Sequence, residues 1–149
     1  TVAGVTEMTI KGGQGIEVAA DCLIDSLDIN SYDMITLPGG LAGTLVLSES
    51  ENVQSILKQM KEQGKYIGAI CAAPLALHTA DVLNEEFTCY PSIENQIRID
   101  GYRHDQSTII DGKVMTSQGV GTAIDFALNI VRELQGKSSF KELKESILA

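Results

Sequence analysis

Apolar residues come along this chain in short, nearly continuous runs that alternate with stretches of helical spacing. "YDMITL" (32–37) and Tyr66–Ile70 are runs of the first kind and read as strands; Pro38-Gly39-Gly40 ends the first abruptly. Val53, Ile56, Leu57 and Met60 show the second kind, at i, i+3, i+4 and i+7. Ser48 with Glu51 three residues on has the pattern of a capping box for that helix, and Gly64 stops it.

The same reading extends along the chain. Thr1–Thr6 and Ile16–Ala20 look like strands separated by the turn-prone "KGGQG", and residues 72–80 favour a helix. Phe87–Tyr90 reads as a short strand. "STIIDGKVMT" (107–116) reads as a hairpin turning at Asp111-Gly112. Thr122 with Asp125 has the spacing to cap a further helix, with Ile124, Ala127, Leu128, Val131 and Leu134 on one face and Gly136 at its end. Ser139–Leu148 is a terminal amphipathic helix. Strand candidates that are apolar throughout, with helices between them, predict an α/β sandwich: a mostly parallel sheet covered on both faces. At 149 residues, with no repeat or linker, the chain reads as a single domain, 1–149.

Composition narrows the function classes. A hydrophobic content of 44% with 21% charged residues is that of a globular domain. The net charge of −9, from 20 acidic and 11 basic side chains with no basic cluster, argues against nucleic acid as a partner. No apolar stretch approaches the roughly 20 residues that span a membrane, and the first residues lack the pattern of a signal peptide. The three cysteines, Cys22, Cys71 and Cys89, form no CxxC and no Cys/His cluster, so neither a disulfide framework nor a metal site is expected. Free thiols suit a reducing compartment, and a cytoplasmic location is expected.

The candidate chemistry centres on "AICAAP" (69–74). Cys71 falls where a strand meets the start of a helix, the corner at which α/β folds place reactive groups. Unpaired N–H groups there favour a thiolate over a thiol. Ala69, Ala72 and Ala73 are small enough for a tight corner, and Pro74 costs no hydrogen bond in a first helical turn. The N–H groups of Gly39 and Ala72 are candidate donors of a two-point oxyanion hole. Against this stands the plain alternative that Cys71 is an inert buried thiol. "GVG" (119–121) lacks both a Walker lysine and a full GxGxxG and makes a poor phosphate loop.

"DMITLPGG", "GAICAAPLAL" and "VMTSQGVGTAIDFAL", in this order, resemble the ThiJ/PfpI superfamily on its deglycase side, over Thr1 to about Gly136. The resemblance implies a flavodoxin-like three-layer sandwich, usually a homodimer, and cofactor-free chemistry. It places Cys71 on the family's reactive cysteine and Gly39 and Ala72 on its backbone donors, with Gly40, Tyr90 and Pro91 around the pocket. Cys22 and Cys89 match no required position. Some members carry a histidine beside the cysteine where this chain has Tyr90. His78 lies seven residues beyond Cys71, about 10 Å along a helix axis, and His104 falls in the polar "GYRHDQS", so no Cys-His-Asp triad is expected. Members also begin with a strand, central in the sheet, and a helix whose start carries a glutamate that hydrogen-bonds the cysteine. This sequence opens at what resembles their second strand. A strand–helix piece of roughly 35 to 45 residues, cleaved off or supplied as a separate fragment, is expected to complete the fold and to bring that glutamate.

The resemblance implies an enzyme that acts on 2-oxoaldehydes such as methylglyoxal, or on glycated adducts, with Cys71 as nucleophile. The alternative is a redox-sensing stress-response or chaperone-like protein governed by oxidation of the same thiol. A peptidase, as in another branch, would need a histidine that is not placed here.

Overall fold

Tyr66–Ile70 is apolar at every position because helices cover it on both faces. Ile67 and Ala69 are fully buried in a core shared with Val53, Leu57 and Met60. Gly68 faces the other way, where a side chain would collide with Met34, Thr36 and Phe126. A computed structural model describes residues 1–149 and gives the architecture around this strand. In chain order the strands are β1 (Ala3–Gly4), β2 (Thr9–Lys11), β3 (Glu17–Ala19), β4 (Cys22–Leu23), β5 (Met34–Leu37), β6 (Tyr66–Ile70), β7 (Thr108–Asp111) and β8 (Val114–Ser117). The α-helices are α1 (Leu41–Glu49), α2 (Glu51–Glu62), α3 (Pro74–Thr79), α4 (Glu94–Ile97) and α5 (Ala123–Ser146).

The main sheet has the order β5–β6–β8–β7. β5, β6 and β8 are parallel, with Leu37 opposite Ala69 and Ile70 opposite Ser117. β7 closes one edge antiparallel to β8, through the tight Gly112-Lys113 connection. The three strands that end at Leu37, Ile70 and Ser117 therefore finish side by side. α2 packs Val53, Leu57 and Met60 on one face, and α5 packs Phe126 on the other. This is the mostly parallel, helix-covered α/β sandwich that the apolar runs predict.

β1 pairs with β4 in parallel, and β2 with β3 as an exposed antiparallel hairpin; neither pair is hydrogen-bonded to the main sheet. Between β1 and the free edge of β5 runs an apolar groove of about 630 Å³, with Ala3, Val5, Ile24, Ile35, Leu37 and Val46 in its walls. No helix is long and apolar enough to cross a membrane.

Several local expectations are corrected. α1 was not expected, and Ser48 lies inside it, where its hydroxyl donates to the Thr44 carbonyl instead of capping α2. The α2 cap is Ser50, whose Oγ accepts the Val53 N–H at 3.4 Å. Ser48 and Ser50 both lie within reach of a helix start, and only the tight join between α1 and α2 selects the second. Thr122 precedes α5 without capping it, because its hydroxyl turns back to Gly119 and Ser117. Asp125 binds the hydroxyls of Ser107 and Thr108 instead. Phe87–Tyr90 joins no sheet, its sole bridge being Phe87 to Tyr102. Its backbone is tied to side chain and loop instead: the Thr88 N–H donates to the buried Thr116 Oγ1 at 2.9 Å. Gly136, at φ 89°, interrupts α5 as a stop signal should, but the helix resumes beyond it.

Candidate active site

The ends of β5, β6 and β8 deliver the three quoted motifs to one place. Cys71 follows β6 directly and adopts φ 66°, a left-handed conformation that L-residues other than asparagine and aspartate rarely take. Such a corner turns the thiol out of the strand before α3 begins, and Cys71 is half-buried. Its backbone is held at both ends. The Cys71 N–H donates to the Ser117 carbonyl at the end of β8, and its own carbonyl accepts the Tyr90 N–H, each at 2.9 Å.

Gly39 meets this corner from β5. A Cβ built on it would lie 2.5 Å from Cys71 Cβ and 3.2 Å from Sγ, so only glycine lets the turn come this close. Neither the Gly39 N–H nor the Ala72 N–H has a hydrogen-bond partner in the protein. Gly40, at φ 92°, turns the chain into α1 without a side-chain cap. Tyr90 is 55% exposed and borders the Gly119 backbone, Pro91 beside it is exposed, and Val120 stands almost fully in solvent. Gly39, Gly40, Ala72, Tyr90 and Pro91 are thus all found on the segments that meet at Cys71.

The histidines stay apart from this group. His78 sits near the far end of α3, and His104 is exposed with its ring against Tyr102. Cys89 is fully buried with Ala72, Leu75 and Phe87, and burial pushes its thiol up to about 12, helped by the nearby Glu94 carboxylate. Burial of this kind leaves a thiol inert. Burial likewise raises the Tyr102 phenol, with Cys89 and Glu94 contributing.

The comparisons with known proteins bear on this same geometry. The model of the DJ-1/PfpI family matches residues 1–133, which include all three motifs. The chain belongs to this family. It is similar to Protein dj-1beta of Drosophila melanogaster, 34% identical over 99% of this chain and 81% of that protein. The solved structure of Drosophila DJ-1beta superposes with a TM-score of 0.95 at 34% identity, over 100% of this chain and 82% of the other. DJ-1/PfpI relatives include a Caenorhabditis elegans protein named Glutathione-independent glyoxalase DJR-1.2, 32% identical over 95% of this chain and 76% of its own length. A Schizosaccharomyces pombe protein named Glutathione-independent glyoxalase DJ-1 is 34% identical over 78% of this chain and 62% of its length. Glyoxalase-type function thus occurs in the DJ-1/PfpI family, and the fold is the flavodoxin-like sandwich of its DJ-1 members.

The motifs, read along the chain, pointed to Cys71 and its neighbours. They did not reveal the side-chain hydroxyls of Ser107, Thr108, Ser117 and Thr122, which link up behind the elbow. Ser and Thr are common in loops and carry no periodic signal; only the pairing of β7 with β8 brings these four together.

Proposed function

We propose that this protein is a cofactor-free enzyme for reactive 2-oxoaldehydes, glyoxalase-like or deglycase-like, with Cys71 as its nucleophile. One observation carries the reading: a half-buried cysteine at φ 66° packs tightly against Gly39, and the N–H groups of Gly39 and of Ala72 next to it have no acceptor in the protein. The glyoxalase names of two relatives support it.

The chemistry follows in steps. The Cys71 thiolate adds to the aldehyde carbon of methylglyoxal, forming a C–S bond as the carbonyl pair moves onto oxygen. The Gly39 and Ala72 N–H groups stabilise that oxyanion, which takes a proton to give a hemithioacetal. A base removes the hydrogen on the sulfur-bearing carbon, and reprotonation at the neighbouring carbon gives a thioester of the 2-hydroxy acid. One carbon is oxidised and its neighbour reduced, so no external oxidant is consumed. Water then cleaves the thioester, releases lactate and returns the thiolate. Tyr90, with Gly40 and Pro91, forms the pocket rim, and the same nucleophile would serve a glycated adduct.

The base is the role for which these 149 residues offer no placed carboxylate. We propose that it arrives on a further strand–helix segment, whose strand occupies the groove between β1 and β5. The free edges of two parallel strands and the apolar lining support this. We further propose a homodimer; the exposed Ile16 and Val18 of the β2–β3 region offer apolar surface for it. Three free cysteines fit a cytoplasmic location.

The test is turnover. Methylglyoxal consumption with lactate formation is expected from the wild-type protein and from Cys22→Ser and Cys89→Ser, and its loss in Cys71→Ser. If peroxide oxidises Cys71 but no variant turns methylglyoxal over, the enzyme reading falls and the redox-sensor reading takes its place.

A further inference from the structure

Behind Cys71 lies a set of hydroxyl groups that the reaction above does not use. Ser117 is fully buried at the end of β8, and its Oγ donates to the Ser107 carbonyl at 2.8 Å. Its second close neighbour is Thr122 Oγ1, at 2.7 Å. Thr122 Oγ1 also accepts the Gly119 N–H at 3.0 Å, while the Thr122 N–H donates to the Gly119 carbonyl at 3.0 Å. At the other end, Ser107 and Thr108 donate to Asp125 Oδ2 at 2.8 and 3.1 Å.

Counting protons orders this chain. A carbonyl only accepts, so the single Ser117 proton serves Ser107. The Gly119 carbonyl, 2.9 Å from Thr122 Oγ1, is a second acceptor within reach, but with the Ser117 proton on Ser107 the 2.7 Å contact between Ser117 Oγ and Thr122 Oγ1 needs the Thr122 proton, or two lone pairs would face each other. The direction runs from the Gly119 N–H through Thr122 and Ser117 to Ser107, and Ser107 is in turn tied down by Asp125. The hydroxyls of Ser117 and Thr122 thus both have partners.

The chain closes a circuit on the nucleophile. Ser117 accepts the Cys71 N–H through its carbonyl, and Tyr90 donates its N–H to the Cys71 carbonyl. The Tyr90 ring borders Gly119, a Cβ there falling 3.5 Å from Cδ2, and Gly119 is held by Thr122. Both backbone ties of Cys71 thus lead to the corner that Thr122 and Ser117 lock. A residue held at positive φ keeps that conformation only while its surroundings impose it.

We propose that Ser117 and Thr122 are the positioning residues of Cys71: their hydroxyls, anchored by Asp125 through Ser107 and Thr108, hold the thiol in its left-handed corner. The proposal rests on Cys71 being the reacting group, and its test does not need turnover. Each variant is treated with iodoacetamide, and the alkylation rates of Cys71 and of Cys22, the internal reference, are followed by peptide mass spectrometry. Thr122→Val keeps the shape and removes the hydroxyl. The Cys71/Cys22 rate ratio is expected to fall about tenfold, the scale of a small misplacement of a reacting group. Thr122→Ser is expected to restore it, which a purely steric role for the threonine would not produce.

A wild-type ratio in folded Thr122→Val, or no rescue by serine, would overturn the proposal. If Thr122→Val fails to fold, Asp125→Ala decides: this exposed carboxylate anchors the far end, and its loss is expected to lower the ratio severalfold, with an unchanged ratio counting against the proposal. The wild-type ratio itself judges the nucleophile, since equal rates at Cys71 and Cys22 would remove the proposed function while the change between variants still reports on positioning.

Discussion

Gly39 and Cys71 come so close that a Cβ on the glycine would lie 2.5 Å from Cys71 Cβ, nearer than real side chains approach. The two residues lie just beyond the paired ends of β5 and β6 and are fitted to one another at this point. Gly39→Ala is expected to cost about 1–3 kcal/mol of stability, the usual scale of overpacking, and to depress Cys71 alkylation as the turn backs away. Gly43, inside α1, has nothing within 4 Å of a built Cβ, so Gly43→Ala should instead stabilise by about 0.5–1 kcal/mol. Chemical denaturation of the two variants checks the pair, and equal effects would remove the argument from close approach.

Cys71 itself stores strain. Its φ of 66° costs an L-residue on the order of 1–2 kcal/mol, a cost glycine does not carry. The usual ranking of alanine over glycine should therefore invert here. Cys71→Gly is expected to be more stable than Cys71→Ala by about 1 kcal/mol in urea melts, and both should lack turnover. Alanine proving the more stable would mean that the corner relaxes without its thiol.

The central strands were legible because burial on both faces leaves a continuous apolar run: Tyr66–Ile70 is found with the limits its sequence suggests. The site was legible for a related reason, since glycines, alanines and a proline punctuate those strands where the chain must turn tightly. α1 was not legible. Its Leu41, Leu45 and Val46 stay exposed, so it lacks the one-sided stripe that marks α2. β2 hides for the opposite reason, being exposed at every position with no core face to impose a pattern, whereas β3 falls within the expected Ile16–Ala20 strand. The hydroxyl chain behind Cys71 depends on contacts between β7, β8 and the start of α5, which no local window of sequence contains.

The two serines near the start of α2 separate cleanly by substitution. Ser50→Ala removes the acceptor of the Val53 N–H and is expected to cost about 0.5–1 kcal/mol, the lower part of the capping range given the 3.4 Å bond. Ser48→Ala loses only a back-bond to the Thr44 carbonyl within α1 and should be neutral within about 0.5 kcal/mol. Thermal melts rank them, and the reverse order would restore Ser48 as the cap.

Cys89 gives the chain an alkaline limit. Burial holds its thiol up to about 12 in the folded protein, whereas an unfolded cysteine ionises near its ordinary value of about 8.5. The folded-state value is the higher one. Its contribution to stability is thus whole below the unfolded value and is lost as pH rises from there toward 12. Cys89→Ala is expected to flatten that alkaline decline in denaturation midpoints measured from pH 7 to 11. In the wild type, iodoacetamide at pH 8.5 should spare Cys89 until denaturant is added. Labelling of native Cys89 at the rate of Cys22 would show that the site opens.

The groove between β1 and β5 makes a prediction about backbone. Parallel strands are stable when paired and covered on both sides, yet the outer edge of Met34–Leu37 is unpaired, beside apolar walls. An extended apolar strand laid between β1 and β5 would satisfy both edges and unite the two parallel sets as one sheet. In the 149-residue chain alone, the β5 amides that do not bond β6 should exchange with deuterium rapidly. Protein isolated natively from its source should protect those amides, because a strand, joined to this chain or separate from it, fills the groove. Exchange of the 149-residue chain that slows with rising protein concentration would mean that a second copy of the chain fills the groove instead. Fast exchange in both preparations would leave the edge open and require the base of the reaction to come from within these residues.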